Sequence, residues 1–469
     1  MRIIARVIFA FSGVAIAAAI GNAAFAQEID RRPYRIEVRE KESGLPIPLV
    51  ELRTTDQVRF VTDNAGVVAF DLVDRMNRET WLTISSPGYE AQKDGFGLRG
   101  VRIKPQPGEA VKIELIRTSI AQRIGRLTGS GLFAESQKCG LEPDWEDSPI
   151  VGCDSVRMVP FQGKYFWNWG DTSISRYPLG NFAMTGATTT ASPFEKIEPP
   201  LRPRYDYFLK PDGAPAPMTA IPGDGPTWLG GYSVLPDKDC REHLVALYQK
   251  IEPPLKVYEV GLCEFNSERK QFLPIKKLWN KSQAGAEPKQ IPIGHTVRFM
   301  DDQKQTWLLY GDPFPKLKHL ATYEHWLDST KWLSVESPIS LQSATSEEKV
   351  RPHTGSIAYS SHHKAWVTVF MQNFGKPSPF GELWYAEANS PFGPWGKAVK
   401  VLSHENYTFY NPRLLAEFTP EGSPTLLFEG TYTEQFANKP YPTARYDYNQ
   451  ILYRVNLNDE RLAPCAAPK

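Results

Sequence analysis

From Tyr34 to Leu115 apolar and polar residues alternate in short runs, "YRIEVRE", "PLVELRT", "VRFVTDNAGVVAFDL", "TWLTISSPGYE" and "AVKIELIR", separated by turn residues such as Gly, Pro, Asn and Asp. Period-two alternation turns one face of a strand inward and the other to water, so this stretch predicts a small antiparallel β-sandwich. The segment "TSIAQRIGRLTGSGLF", Thr118 to Phe133, loses the alternation, ends in Gly-rich text and reads as a connector. Beyond it the chain is rich in Trp, Tyr, Pro and Gly without a sustained helical period, which keeps the expectation all-β.

A repeat organises this second region. "DSVRMVPFQGKYFWNWGDT", from Asp154, aligns without a gap beneath "HTVRFMDDQKQTWLLYGDP", from His295, matching Val156 with Val297, Arg157 with Arg298, Gly170 with Gly311 and Asp171 with Asp312. Segments opening at Gly230, His353 and Tyr410 share the form: a polar start, an apolar strand, a turn and an aromatic-rich second strand. A four-stranded sheet buries both faces only when neighbours stack on it, so five copies predict a five-bladed β-propeller. The expected division is a leader over 1–26, a sandwich over 27–120 and a propeller over 121–469.

Composition narrows the function classes. With 54 basic against 53 acidic residues and no basic cluster, nucleic acid is not an expected partner. The N-terminus carries Arg2 and Arg6, an apolar run from Val7 to Ile20 and the small-residue stretch Ala24-Phe25-Ala26, the pattern of a secretory signal cut after Ala26. No other stretch is long and apolar enough to span a bilayer. A soluble, monomeric, periplasmic or secreted chain is therefore expected. In an oxidising compartment its five cysteines suggest Cys139–Cys153 and Cys240–Cys263 disulfides, with Cys465 left over. No CxxC spacing points to zinc.

"GLPIPLVELR", "TDNAGVVAF" and "PGYE" resemble carboxypeptidase-regulatory-like or prealbumin-like sandwich modules, which implies a spacer or stabiliser. "SPFGPWGKAVKVL", from Ser390, resembles a strand turn of five-bladed glycoside hydrolases of the arabinanase and fructosidase type. The order "WGDT", "YNPRLL", "YDYNQILYRVNL" is more similar to a propeller family some of whose members are endo-D-arabinanases. The resemblance implies an exported enzyme that cleaves an oligo- or polysaccharide with paired carboxyl groups.

The residues heading the innermost strands look into a shared funnel. Asp154 and Asp171, at the start and end of adjacent strands, are the expected catalytic pair, with Glu429 of "LLFEGTY" as reserve acid. His295, His353, Tyr410, Asn411 and Trp169 are expected to bind substrate. His and Asp side chains in the channel could also hold calcium, although no calcium loop is visible. The arabinanase pattern fails after Asp154, because His295, His353 and Asn411 stand where acids are usual. That leaves a glycan-binding or cell-envelope scaffold propeller as the alternative. Each candidate has a structural reading too: Gly-Asp is ordinary turn chemistry for Asp171 and still more for Asp312, His295 could cap a backbone carbonyl, and aromatics fill blade interfaces. Arg157 and Arg298 read as ties between blades rather than substrate clamps.

Overall fold

The computed structural model describes residues 30–465 apart from 130, 132, 143–144, 146–147, 176, 182–183, 191–196, 284, 405–407, 435–436 and 438–446. The expected leader lies outside the described residues. Among the described residues no helix is long and apolar enough to cross a membrane.

Two four-stranded sheets form the N-terminal unit. One runs in the order Val67–Phe70, Tyr34–Glu40, Ala110–Arg117, Tyr89–Glu90, and the other Arg59–Val61, Glu51–Thr54, Thr80–Ser85, Gly100–Ile103. The inward residues of the alternating runs, among them Ile36, Val38, Leu52, Phe70, Leu82 and Leu115, make its core. The expectation of a purely antiparallel sandwich needs correction, because Tyr34–Glu40 and Ala110–Arg117 pair in parallel. These are the first and last long strands, so the whole intervening chain serves as their crossover.

Five blades follow, each built on a run of antiparallel strands that are neighbours in sequence, and a small three-stranded sheet of Gly152–Cys153, Thr172–Ile174 and Tyr177–Asn181 flanks the first of them. Blade 1 is Arg157–Phe161, Lys164–Trp169, Thr185–Thr190 and Asp206–Tyr207; blade 2 is Thr227–Pro236, Glu242–Glu252, Lys256–Asn266 and Gln271–Asn280. Blade 3 is His295–Met300, Thr306–Gly311, Pro315–Leu320 and Leu333–Ser334. Blade 4 is Pro352–Ser360, Ala365–Gln372, Glu382–Ala388 and Trp395–Ser403, with Ile339–Ser343 added in parallel outside. Blade 5 is Thr408–Leu414, Thr425–Thr433 and Asn449–Asn456, closed by Gln122–Arg126. The fold is thus an all-β sandwich followed by a five-bladed propeller.

The closing strand corrects the connector reading. Gln122–Arg126 pairs antiparallel with Asn449–Asn456, and all five of its residues are buried. A strand buried on both faces has no reason to alternate, which is why its pattern looked unlike its neighbours'. Pairing the strand that precedes blade 1 with the last blade joins the two ends of the ring in one sheet.

Polar contacts seat the sandwich on the ring. The Asn64 side chain donates to the carbonyls of Arg126 (2.9 Å) and Leu201 (2.8 Å) and accepts from Arg126 N–H (2.7 Å). Glu40, almost fully buried, accepts from Gln122 at 2.7 Å and from Arg117 at 3.1 Å.

All five cysteines are free, which overturns both expected disulfides. Cys240 lies in the turn between the first two strands of blade 2, whereas Cys263 stands opposite Ala246, six residues along the strand. At ~3.3 Å per residue that is about 20 Å, far beyond disulfide reach. Cys139 ends the short helix Glu135–Lys138, while Cys153 is sealed in the core shared by blades 1 and 5.

Candidate functional site

The first two strands of blade 1 form a hairpin with Arg157 opposite Asn168, and the chain just beyond both ends stays paired. Asp154 N–H donates to the Asp171 carbonyl (3.0 Å), and Gly170 N–H donates to the Asp154 carbonyl (2.8 Å). The Asp154 side chain then folds back over this turn, its Oδ1 accepting from Asp171 N–H at 3.0 Å. A Cβ on Gly170 would lie 1.9 Å from that same Oδ1. Glycine before Asp171 is therefore what lets the Asp154 carboxylate reach its position.

Asp154 and Asp171 open into one cavity of about 530 Å³, lined by blades 1, 2 and 3 and by Asn411 of blade 5. Its apolar wall includes Met184, Ile291, Ile293 and Leu317; Trp228, Arg157, Asp312, Lys316 and Asn411 supply polar groups. Both carboxyls of blade 1 are half-buried, which gives them solvent access inside a shielded space. Burial, and after it the charge of Asp154, pushes the Asp171 pKa up to about 7, against a hydrogen bond from Trp228. Its Oδ1 is buried without a hydrogen-bond partner. Burial raises Asp154 as well, but the Tyr410 hydroxyl (2.8 Å, to Oδ2) and the Asp171 N–H both favour its ionised form. Two adjacent acids are thus held in unlike environments, Asp171 suited to carry a proton and Asp154 to carry charge.

Asp312 is the third acid of the cavity, and the turn reading had set it aside. Burial pushes it up to about 6, and its Oδ1 accepts from Gly355 N–H of blade 4 at 2.8 Å. The gap-free alignment of Asp171 with Asp312 was the signal for it.

The substrate-binding candidates separate. Asn411 lines the cavity, aimed there by a positive φ of 53° where the inner strand of blade 5 shifts register, and it donates to the Ser155 hydroxyl. Tyr410 belongs through its bond to Asp154. His295 heads its strand but is buried, its pKa driven well below the usual histidine range by burial and the nearby arginines, so a charged imidazole is not available there. His353 is exposed, packs on Phe380 at 4.9 Å between ring centres, and does not line the cavity. Trp169 is 1% exposed, stacked beside Trp167 and edge-on to Tyr205 in the core, so it offers no face to a ligand. The reserve acid Glu429 sits inside the strand Thr425–Thr433, opposite Arg413 and fully buried, with both carboxyl oxygens lacking a hydrogen-bond partner. Burial holds its pKa at about 8.

Of the two arginines read as ties, Arg298 is one, donating to the Val234 carbonyl of blade 2. Arg157 instead faces the cavity. Among the described residues no group of three or more His, Cys, Asp or Glu stands close enough to hold a metal ion, calcium included. A second cleft, of about 590 Å³, lies where sandwich residues 84–90 meet blade 4. Its cations Arg99, Lys400 and Arg461 are paired with Glu90, Glu382 and Asp459, and among the described residues it gathers no unpaired acids.

The sequence matches no protein-family model and no curated protein. Solved structures similar to this chain include an exo-1,5-alpha-L-arabinanase from a bovine ruminal metagenomic library, 11% identical with a TM-score of 0.35 over 64% of this chain and 92% of that one. Another is the alpha-L-arabinanase of Cellvibrio cellulosa, 11% identical with a TM-score of 0.36 over 68% and 99%. Both likenesses are distant, and the chemistry of the site rests on its own geometry.

Proposed function

We propose that this chain is an exported glycoside hydrolase that cleaves a polysaccharide or oligosaccharide in the cavity between blades 1, 2 and 3. The observation that carries the proposal is the pairing of Asp171, a carboxyl held up to about 7, with the doubly hydrogen-bonded Asp154 in one half-shielded space. Glycoside hydrolysis needs such a pair, one acid protonated and one ionised.

Asp171 gives its proton to the glycosidic oxygen as the bond from that oxygen to the anomeric carbon breaks. Positive charge grows on the ring side, and the Asp154 carboxylate faces it. Asp154 then either takes a proton from the water that adds to the anomeric carbon, or adds there itself to form an ester that water later opens. In the second case Asp171, ionised by the first step, takes the proton from that water. Either route consumes one water; the ester route returns both acids to their starting state, whereas the direct route leaves the proton on Asp154, from which solvent carries it back to Asp171 before the next turnover. Tyr410 and the Asp171 N–H steady the charge on Asp154 throughout.

Reducing-end release from a polysaccharide panel, with glycan affinity measured in parallel, tests this. The wild-type chain should release sugar ends, and Asp171→Asn should lose release while keeping affinity. A wild-type chain that binds a glycan but never cleaves one would make this a binding or scaffold propeller instead.

A further inference from the structure

Among the described residues the cavity holds as many cationic side chains as acidic ones, yet none of them meet in a direct ion pair. Arg157, Lys289 and Lys316 line it together with Asp154, Asp171 and Asp312. Asp154 is served by a tyrosine hydroxyl and a backbone N–H, Asp312 by the Gly355 N–H, and Asp171 by Trp228. All of these donors are neutral. Among the described residues, no carboxylate lies at ion-pair distance from Arg157, Lys289 or Lys316. Arg157 spends Nη1 on the carbonyl of its neighbour Val156 (2.9 Å), and its Nε is buried without a partner. Leaving a buried guanidinium nitrogen unbonded is costly unless something else occupies it.

The arrangement is also directional. Asp154 and Asp171 stand on blade 1, whereas Lys289 comes from the segment joining blades 2 and 3 and Lys316 from blade 3, with Arg157 between the two sides at the head of the blade 1 inner strand. A sugar whose glycosidic bond lies over the blade 1 acids would place its remote substituents toward the lysines. Lys289 and Lys316 are exposed to solvent, and Arg157 feels the charges of Asp312 and Asp154 without a direct bond to either, so an anionic substituent would supply the direct partner that a neutral sugar lacks.

We infer that the substrate carries an anionic group, a carboxylate or a phosphate monoester, on a sugar beside the scissile bond, held by Lys289, Lys316 and the guanidinium of Arg157. This rests on the glycoside hydrolase reading for the position of the bond but not for the binding of the anion. Guanidinium and ammonium groups in a partly shielded cavity bind such anions through charge-assisted hydrogen bonds, and exposed lysines add attraction that salt screens.

Two matched pairs of glycans test the inference: polygalacturonate oligosaccharides against their carboxyl-reduced counterparts, and a phosphomannan against its phosphatase-treated form. Binding is measured by calorimetry at low and high salt and cleavage by reducing-end release, for the wild-type chain and for the double variant Lys289→Met/Lys316→Met. At least one acidic member should bind ten times or more tightly than its neutral partner, lose that margin in the double variant, and weaken with salt. The pair showing the margin says whether carboxylate or phosphate is preferred. Acidic binding without cleavage would uphold the anion site and overturn the hydrolase reading. Equal handling of neutral and acidic members, unchanged in the double variant, would overturn the anion site and leave the hydrolase reading standing. No binding of any member would overturn it as well.

Discussion

Blades 1 and 3 carry the same cadence, Trp-Gly-Asp and Tyr-Gly-Asp, at the same place in the repeat, and use it differently. In blade 1 the glycine clears space for a carboxylate: a Cβ on Gly170 would collide with Asp154 Oδ1. In blade 3 it clears space for a turn: a Cβ on Gly311 would lie 2.0 Å from the backbone oxygen of Phe314. Asp171 therefore faces a second acid, while Asp312 is tied to the backbone of the next blade. The shared Gly-Asp pair positions an ionisable group, and its neighbours decide whether that group is chemistry or scaffolding.

Substitution can break the comparison at the aspartates first. Asp171→Asn should lower kcat by about 10²–10⁴-fold, the usual worth of a general acid, with glycan affinity retained. Asp312→Asn keeps an oxygen that can accept from Gly355 N–H and should cost far less, about tenfold at most. Equal losses would mean that blade 3 shares the chemistry.

The glycines come next. Gly170→Ala must displace the Asp154 carboxyl, and a shift of about 1 Å in a catalytic group can cost on the order of 10²-fold in kcat. Gly311→Ala should instead lower the melting temperature and spare the turnover of the folded fraction. Thermal melts beside kinetics separate the two outcomes.

Smaller effects sharpen the electrostatics. Tyr410→Phe removes a donor to the Asp154 carboxylate, so the acid limb of the pH profile should move to higher pH, with a loss of a few-fold near the optimum. Glu429→Gln should leave turnover within about twofold, since that carboxyl is sealed from the cavity, and should change the pH dependence of stability. In the folded chain Glu429 holds its proton up to about pH 8, whereas unfolded it releases it near the ordinary 4.5. The wild-type chain then binds more protons folded than unfolded between those values, so its stability falls as pH rises from about 4.5 to 8. The glutamine variant should lose that slope in melts across the range.

Much of the architecture was legible because the repeat is a statement about packing. Alternation in the sandwich runs and the matched hairpins at Asp154 and His295 follow from faces that must be buried. What escaped notice depended on neighbours distant in sequence. Gln122–Arg126 lacks alternation because both its faces are covered, one consequence of pairing with a strand more than three hundred residues away. Trp169 and Trp228 are equally aromatic on paper, but one is walled in by Trp167 and Tyr205 and the other lines the cavity. Asp154 and Asp171 could be paired from adjacent strand ends. The sealing of Glu429 and His295, and the turning of Arg157 to the cavity, are set by the ring as a whole.

The central claim is that Asp171 holds a proton beside a charged Asp154 while the sugar bond is cut. Its most direct test follows the Asp171 carboxyl carbon by NMR as a function of pH and sets that titration beside the basic limb of kcat/KM. Both should fall at about pH 7, and the NMR signal should vanish in Asp171→Asn. Titration of Asp171 near the ordinary value of about 4, or a basic limb that stays in place when Asp171 is replaced, would contradict the account.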